Sequence, residues 1–418
     1  MKTALKWIIG FALVVIGIHL WRLDEAPDPR AQAWIDAVEA RRQPVDERYL
    51  FLLGIDALSG ISPVERGRAR LEAYHQGQPG IEKPGEALLL KDDDSRLCDS
   101  GEPACLKALL ANPQRSLQLL DNNALILERY RQWRDGPAPR LAARPGIDDP
   151  QPPYGVLLQG NLLLGLESLA LAASNPPAAQ ELLLDDIRAL RRQLAGADTL
   201  VGKLVVARLL GEDLQRLALW YRHGLLPKAP QLAPLDEAEY SLLMPMQREY
   251  AFLAELLLNL PTEEDGLASA GYLLYKPQRT SNLAWRPYAE VAELSRLPAQ
   301  AVPGELEKPR PVPESPWQAP RNAMGQILLR AGGPDFRPYL ARLHDLDARL
   351  RLVNLLGDMP ADASQWTPGL PDSELQTNPY WPDRPARWDA ASGRLCHDGP
   401  LPDERNLRCL ILDPLRRG

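Results

Sequence analysis

An apolar run close to the start of the chain constrains its architecture more than any other feature. Residues 7–21 read WIIGFALVVIGIHLW, in which only His19 is ionisable. A helix from Thr3 to Arg22 would be about 30 Å long, which matches the hydrocarbon core of a bilayer. Two lysines precede the run, and lysines favour the cytoplasmic side. The sequence therefore predicts a single-pass inner-membrane helix, with the N-terminus in the cytoplasm and the body in the periplasm.

A cleaved signal peptide is the alternative interpretation of the same run. Ala31-Gln32-Ala33 matches the A-x-A pattern of a cleavage site. It lies about ten residues beyond the run, after Arg22 and two prolines, which is a poor position for cleavage. We expect an uncleaved anchor, and the body is exported under either interpretation.

The four cysteines fall into two local pairs. Six residues separate Cys98 from Cys105, and twelve separate Cys396 from Cys409. Disulfides persist in oxidising compartments such as the periplasm, so we predict these two pairings, although sequence alone allows three connectivities. A zinc site with His397 as an additional ligand is the alternative, but the spacings match no standard framework.

The composition favours a globular, mainly helical body and argues against nucleic acid as a partner. Of the 418 residues, 45% are hydrophobic and 25% are charged, and the net charge is −7. An acidic chain is poorly suited to neutralising the phosphates of a nucleic acid. The 41 prolines are roughly twice the usual share, which predicts many helix starts and several ordered loops.

Changes in composition divide the chain into five predicted regions. They are a cytoplasmic stub and transmembrane anchor (1–27), an N-terminal helical part (28–135), a Pro-rich linker (136–155), a main helical domain with a Pro-rich loop at 298–320 (156–358), and a C-terminal region with a disulfide (359–418). The last region predicts a small β-hairpin around Ser392-Gly393. No fixed-period repeat is found, so we expect an irregular helical array or a bundle.

Caps and prolines place several helices. Asn112-Pro113 opens a predicted helix that continues through Arg134. Residues Leu235 to Leu260 predict another helix, kinked at Pro245.

Two further helices carry faces of opposite character. The helix after Asn175 has an apolar stripe that should face the core, formed by Leu183, Ile187, Leu190 and Leu194. The next helix carries charges at i, i+4 spacing, a pattern typical of a solvated face, formed by Arg208, Glu212 and Arg216.

Three stretches together resemble one group of proteins. They are residues 197–217 (ADTLVGKLVVARLLGEDLQRL), 273–282 (LLYKPQRTSN) and 378–396 (NPYWPDRPARWDAASGRLC). They are similar to uncharacterised proteobacterial inner-membrane-anchored, mainly helical periplasmic proteins. The resemblance covers about half of the chain and implies an anchor, a helical body and a C-terminal hairpin, without an activity. A disulfide loop stands here where a Gly- and Asp-rich ending is more usual in that group.

No motif for a catalytic or cofactor chemistry is found. The five histidines are scattered, and the sequence contains no H-E-x-x-H, no G-x-S-x-G and no Gly-rich phosphate loop. The predicted disulfides leave no free thiol nucleophile. His344 and Asp347, at i, i+3, suit an acid–base or metal pair, but we favour a polar flank of an amphipathic helix. We therefore predict no catalytic, cofactor-binding or metal-binding residue.

Paired carboxylates are the remaining option for catalysis. A helical periplasmic enzyme acting on a glycan or peptide could use two of them as acid and base. The candidate pairs are Glu181 with Asp185, Glu212 with Asp213, and Glu249 with Glu255.

Residues 276–287 (KPQRTSNLAWRP) form the most suggestive surface segment. Its mix of polar donors and an aromatic residue is typical of recognition sites, and the predicted recognition loop consists of Arg279, Thr280, Asn282, Trp285 and Arg286. The alternative, which we favour, is the start of a helix capped by Ser281 or Asn282.

These observations favour a non-enzymatic, membrane-anchored periplasmic scaffold or accessory subunit, with an envelope protein as its partner. The alternative is a periplasmic hydrolase or lyase on a glycan or peptide that uses the helix-borne carboxylates.

Overall fold

The protein is mainly helical, with a small antiparallel sheet near its C-terminus. The computed structural model describes residues 2–42, 44–77, 87–90, 98–141, 150–260, 274–309, 315, 319–332, 335–360, 362 and 366–412. Its α-helices are α1 (Lys2–Arg22), α2 (Pro29–Arg41), α3 (Glu47–Leu53), α4 (Pro63–His75), α5 (Pro103–Ala111), α6 (Pro113–Asn122), α7 (Ala124–Asp135), α8 (Gly155–Ala172), α9 (Pro176–Gly196), α10 (Leu200–Arg222), α11 (Glu237–Tyr240), α12 (Leu243–Leu258), α13 (Pro277–Leu294), α14 (Val302–Glu307), α15 (Ala323–Gly332) and α16 (Arg337–Asn354). Short 3₁₀ turns cover Ala299–Ala301, Pro320–Asn322 and Leu355–Gly357.

The sheet consists of β1 (Arg387–Asp389), β2 (Arg394–Cys396) and β3 (Cys409–Ile411), in that order. The predicted hairpin is confirmed, with Trp388 opposite Leu395. The third strand was not predicted from the sequence. Cys396 and Cys409 are opposite each other in β2 and β3, and a disulfide joins them. The second predicted disulfide, Cys98–Cys105, is also confirmed.

Helices α8, α9 and α10 supply the centre of the core. The predicted inward stripe of α9 is confirmed, since Leu183, Ile187, Leu190 and Leu194 are at most 1% exposed. Asn175 caps this helix by accepting the N–H of Ala178. The largest cluster of buried apolar side chains draws on residues from Ala31 to Leu412. The domain boundaries inferred from the sequence stay a prediction.

Close helix packing depends on a glycine of α8. A Cβ atom built on Gly160 would lie 2.3 Å from the Cβ of Tyr130 on α7. No side chain larger than hydrogen fits at that distance without a shift of one helix. At the start of α8, by contrast, a Cβ on Gly155 would meet no atom within 4 Å.

Two predicted helices are each divided in two. The predicted helix through Arg134 is wrong as a single element, because α6 and α7 are separated at Asn123. There the side-chain amide of Asn123 donates to the carbonyl oxygen of Leu119 (3.0 Å). The predicted kink at Pro245 is also wrong. The chain instead turns between α11 and α12, and Pro245 lies in the first turn of α12, where a missing N–H is tolerated.

The predicted Pro-rich loop at 298–320 contains ordered elements. It includes the 3₁₀ turn Ala299–Ala301 and helix α14. Residues 310–314 and 316–318 of this stretch lie outside the described residues.

Within the described residues, one helix is long and apolar enough to cross a membrane, and it is α8 rather than α1. Because 61% of this span is buried inside the protein, α8 serves as a core helix. The N-terminal helix α1 differs in exposure, since every side chain from Lys6 to Ala26 is exposed. The predicted transmembrane role of α1 remains a proposal.

Candidate functional site

The segment that follows α1 caps the N-terminus of α13. The carboxylate of Asp24 accepts hydrogen bonds from the main-chain N–H groups of Gln278 (2.8 Å) and Arg279 (3.1 Å). Lys276, which precedes α13, provides no side-chain cap of its own. A carboxylate at this position satisfies free N–H groups and interacts favourably with the helix dipole. The first turn of α13 is thus completed by a residue 254 positions before Gln278.

Asn282 joins the same segment to the second turn of α13. Its side-chain oxygen accepts the N–H of Asp28 (2.9 Å), and its side-chain amide donates to the carbonyl oxygen of Ala26 (2.9 Å). Asp28 in turn caps α2 by accepting the N–H of Arg30 (2.9 Å). The segment 24–28 is therefore fixed to α13 at both of its ends.

Two cations bind the C-terminal end of α1. The Nη2 of Arg321 donates to the carbonyl oxygens of Leu20 (2.8 Å) and Leu23 (2.8 Å). The Nζ of Lys276 donates to the carbonyl oxygen of Arg22 (3.2 Å). The last carbonyls of a helix have no partners within the helix, and positive charge there interacts favourably with its dipole. We call this contact between the end of α1 and the start of α13 the joint. At the joint, residues near α13 cap the end of α1, and Asp24 after α1 caps the start of α13.

A pocket of about 290 Å³ opens at this joint, and we call it the junction pocket. Three basic, two acidic and two apolar side chains line it, namely Lys276, Arg279, Arg321, Asp24, Glu25, Leu20 and Leu23. The Arg279 guanidinium lies 3.3 Å from the Glu25 carboxylate. In the part of the chain that the structure describes, neither Lys276 nor Arg321 forms an ion pair with a carboxylate.

Positive charge accumulates in the junction pocket. Burial lowers the pKa of the Lys276 amine, the neighbouring Arg321 lowers it further, and Asp24 opposes these effects. The main-chain carbonyls that the two cations bind are neutral. The pocket therefore favours a group that carries negative charge.

The five residues of the predicted recognition loop lie on α13, so the interpretation as a loop is wrong and the favoured helical alternative is closer to the structure. The helix begins at Pro277, one turn earlier than the caps proposed at Ser281 or Asn282, because Asp24 supplies the cap. Thr280 is fully buried and donates to the carbonyl oxygen of Lys276.

The remaining members of that set have different surroundings. The ring of Trp285 meets that of Trp34 edge to face, with 5.8 Å between centroids, and Arg30 lies over it at 4.9 Å. Arg286 is exposed. Only Arg279 lines the junction pocket, and the recognition role of the five residues stays a prediction.

A second polar cluster lies inside the helical core, around Arg216 of α10. The prediction of a solvated face for Arg216 is wrong, because its side chain is 0% exposed. Its guanidinium donates to the carboxyl of Asp213 (2.7 Å), the side-chain oxygen of Asn161 (2.7 Å) and the carboxylate of Asp99 (2.8 Å). Helix α10 packs against α8, α9, α16 and β3, so the helix face that carries Arg216 is covered. Arg208, 65% exposed, matches the prediction.

Asp186 extends this buried cluster. It accepts hydrogen bonds from the Tyr130 hydroxyl (2.8 Å), from Asn161 (3.2 Å) and from Arg134 (3.0 Å). Burial, followed by the charge of Asp186, raises the pKa of Asp213 well above its usual value, while Arg216 opposes the shift. The two arginines of the cluster face the carboxyl groups of Asp99, Asp186 and Asp213, and Glu212 lies 3.9 Å from Arg216.

His344 and Asp347 are also buried, so the interpretation as a polar flank is wrong. Both side chains are 0% exposed because α16 packs against α10, α11 and the sheet. The His344 ring stacks on Tyr240 with 4.4 Å between centroids. Asp347 accepts the N–H of Leu235 (2.8 Å) and the Nε–H of Arg351 (2.7 Å). Burial lowers the pKa of His344 to about 4, which keeps the ring neutral at physiological pH.

The carboxylate pairs considered for catalysis lie away from the junction pocket. Glu181 and Asp185 both bind Arg188 on the surface, and they are 62% and 53% exposed. None of the six carboxylates lines the junction pocket or a smaller pocket of about 30 Å³ beside Trp133 and Asp198. Nor do the described residues include a group of three or more His, Cys, Asp or Glu side chains that could hold a metal ion.

Sequence reasoning missed most of the junction pocket. Asp24 and Glu25 were visible only as charges after the apolar run, and Arg321 only as a residue at the end of a Pro-rich stretch. The one available signal was the combination KPQR at 276–279, which supplies two of the three cations. Comparison of the chain with protein-family models, curated protein sequences and solved structures finds no match.

Proposed function

We propose that this protein is a single-pass, membrane-anchored envelope protein whose periplasmic body is held in a fixed orientation at the membrane surface, as a non-enzymatic scaffold or accessory subunit. The observation that carries the proposal is the joint between α1 and α13, in which Asp24, Lys276 and Arg321 build the end of an apolar helix into the body.

The exposure of α1 supports the membrane part of the proposal. Its large apolar side chains project into open space, for example Trp7 (78% exposed), Phe11 (72%) and Ile8 (65%). Monomeric soluble proteins rarely expose a continuous apolar surface of this size. A bilayer is a solvent that covers it, and the helix of 21 residues has a length of about 31 Å.

Retention of α1 in the mature protein is supported by the same joint. Cleavage after Ala33 would remove Asp24, which caps α13, and Asp28, which caps α2. Helix α13 would lose its N-terminal cap, worth about 1 kcal/mol, and α2 would lose its cap together with residues Pro29 to Ala33. An uncleaved anchor keeps both.

Further exposed apolar side chains lie near the joint. Leu258 ends α12, Leu274 precedes α13, and Met324 and Ile327 lie on α15. The three segments are tied together there, for example by the hydrogen bond from the Tyr275 hydroxyl to the carbonyl oxygen of Leu257 (2.6 Å). These side chains support contact between this end of the body and the membrane surface.

Reporter fusions test the location. We expect C-terminally fused alkaline phosphatase to be active and C-terminally fused green fluorescent protein to be dark in a bacterial host, and the protein to resist extraction by alkaline carbonate. A variant without residues 2–22 serves as the control and should lose both membrane association and export. Intact mass of the membrane-bound protein should correspond to the full chain. Carbonate-extractable protein, or a fluorescent fusion, would contradict the proposal.

Affinity purification tests the scaffold role. The detergent-solubilised protein should co-purify with a specific membrane or periplasmic partner at a constant ratio. A monomer that reproducibly purifies alone would count against the scaffold role while leaving the anchor in place.

A further inference from the structure

We propose that the junction pocket binds the headgroup of an aminophospholipid, with the phosphate between Lys276 and Arg321 and the primary ammonium facing Glu25 and Asp24. This inference rests on the proposed function, because a lipid headgroup reaches the pocket only if α1 lies in a membrane.

The position of the pocket fits a headgroup. It lies at the C-terminal end of α1, where Leu20 and Leu23 line its wall. An apolar helix that spans the hydrocarbon core places its last residues at the level of the phosphates. Acyl chains can then run along the exposed apolar side chains of α1, while the headgroup enters the pocket. Its volume of about 290 Å³ is sufficient for a small polar headgroup.

Two of the three cations in the pocket, Lys276 and Arg321, form no ion pair with a carboxylate among the described residues. Lys276 and Arg321 donate to neutral main-chain carbonyls of α1, and within the described residues no carboxylate lies within ion-pair distance of either. An ammonium has three donors and a guanidinium has five, so both retain N–H groups for a phosphate. A phosphate oxygen between the two cations also relieves the repulsion that Arg321 exerts on Lys276.

The acidic side of the pocket selects the class of headgroup. Glu25 is 49% exposed and faces solvent beside Arg279, and Asp24 lies next to it in the wall. A headgroup that carries only negative charge would bind the cations but would offer no positive group to these two carboxylates. A headgroup with both a phosphate and a primary amine matches both signs, and the amine donates hydrogen bonds that a quaternary ammonium cannot.

Lipid titration of the full chain tests this inference. The detergent-solubilised, delipidated protein is titrated with phosphatidylethanolamine, phosphatidylglycerol and phosphatidylcholine of identical acyl chains, and binding is followed by native mass spectrometry. We expect phosphatidylethanolamine to bind at least about tenfold more tightly than the other two. Inorganic phosphate at millimolar concentration should not displace it.

Two variants and one control separate the contribution of the basic residues to lipid binding from that of the acidic residues. Lys276→Gln should weaken phosphatidylethanolamine binding by about tenfold, and Glu25→Gln should reduce the preference over phosphatidylglycerol by a similar factor. Arg405→Gln, an exposed substitution in the C-terminal segment, should leave binding unchanged. Because Lys276 and Arg321 both contact α1, unchanged circular dichroism of each variant is required as evidence of folding.

The outcomes distinguish this inference from the proposed function. The headgroup site would be overturned by equal binding of the three lipids, by unchanged binding to Lys276→Gln, or by displacement with inorganic phosphate. If the protein still resists extraction by alkaline carbonate, the proposed membrane anchor stands. Loss of membrane association in the fusion and extraction experiments would overturn both.

Discussion

Arg216 and Asp213 lie one turn apart on α10 and are joined by a hydrogen bond of 2.7 Å, although neither side chain has any exposed surface. A buried arginine needs partners for its donors, and this one has Asp213, Asn161 and Asp99. Burial and the charge of Asp186 raise the pKa of Asp213, which favours the protonated form of this carboxyl group. The two partners of this pair therefore make different contributions to stability.

Replacing the two residues separately should reveal that difference. Arg216→Met leaves buried carboxyl groups without their cation and should lower the free energy of unfolding by about 3–5 kcal/mol. Asp213→Asn keeps the shape and the accepting oxygen of a protonated acid and should change it by less than about 1 kcal/mol. Urea unfolding of the detergent-solubilised protein measures both, with the exposed Arg208→Ala as the control. If Asp213→Asn is as damaging as Arg216→Met, Asp213 is ionised in the folded protein.

The close approach of α7 and α8 gives a second prediction. Gly160→Ala places a methyl group against Tyr130 and should lower the free energy of unfolding by about 1–3 kcal/mol. Gly155→Ala, in the first turn of the same helix, meets open space and should be neutral or stabilising by less than about 1 kcal/mol. The same urea titration compares the two alanines directly. Equal effects would mean that the helices can move apart at Gly160 at little cost.

Burial of His344 predicts an acid-sensitive fold. The pKa of His344 is about 4 in the folded protein and about 6.5 in an unfolded chain. Between these values the unfolded state binds a proton that the folded state does not, so stability falls as the pH is lowered from about 6.5 towards 4. This residue alone should account for a loss of about 2–3 kcal/mol by pH ~4.5.

His344→Phe keeps a ring against Tyr240 and removes that titration. We expect the variant to lose about 2–3 kcal/mol less stability than the parent between about pH 7 and about pH 4.5, as measured by urea unfolding at both pH values. His397, whose pKa is lowered to about 3 by burial, is present in both proteins and contributes equally. Parallel acid dependence of the two proteins would refute the assignment to His344.

The two disulfides should differ in their effect on stability. Replacing Cys396 and Cys409 by serine opens a loop with a sequence separation of 13, and the expected loss is about 3 kcal/mol. The corresponding change at Cys98 and Cys105 opens a separation of 7, and the expected loss is about 2 kcal/mol. Thiol alkylation in cells, with and without a reductant, establishes whether each pair is oxidised. Free thiols in untreated cells would contradict an oxidising location.

Local signals in the sequence predicted much of the fold. The cap at Asn175, the stripe from Leu183 to Leu194 and the hairpin around Ser392-Gly393 depend on neighbours within a few residues, and all three are confirmed. The burial of Arg216 and the pairing of β3 with β2 depend on packing between distant segments. A charge at i, i+4 spacing has the same pattern whether the helix face meets water or other helices.

The candidate site was less predictable because its contacts also join residues that are far apart in the sequence. Asp24 caps a helix that begins more than 250 residues later, and no local pattern connects an acidic residue after an apolar run with the start of α13. Arg321 gives no sign in its own surroundings that its partners are the carbonyls of α1. Arg279 was identified as a candidate residue, but its true neighbour, Glu25, is known only from the structure.

The hydrogen bond from Arg321 to the carbonyl oxygen of Leu20 joins residues 301 positions apart, so Leu20 is synthesised well before its partner. At about 5–20 residues per second, a ribosome needs roughly 15–60 s to proceed from one partner to the other. In the proposed topology, α1 enters the translocation machinery during that interval, before the arginine that closes its end has been made. A nascent chain that stalls before Arg321 therefore has the contacts of Asp24 with the start of α13 and of Lys276 with the end of α1, but lacks the arginine that binds the last carbonyls of α1.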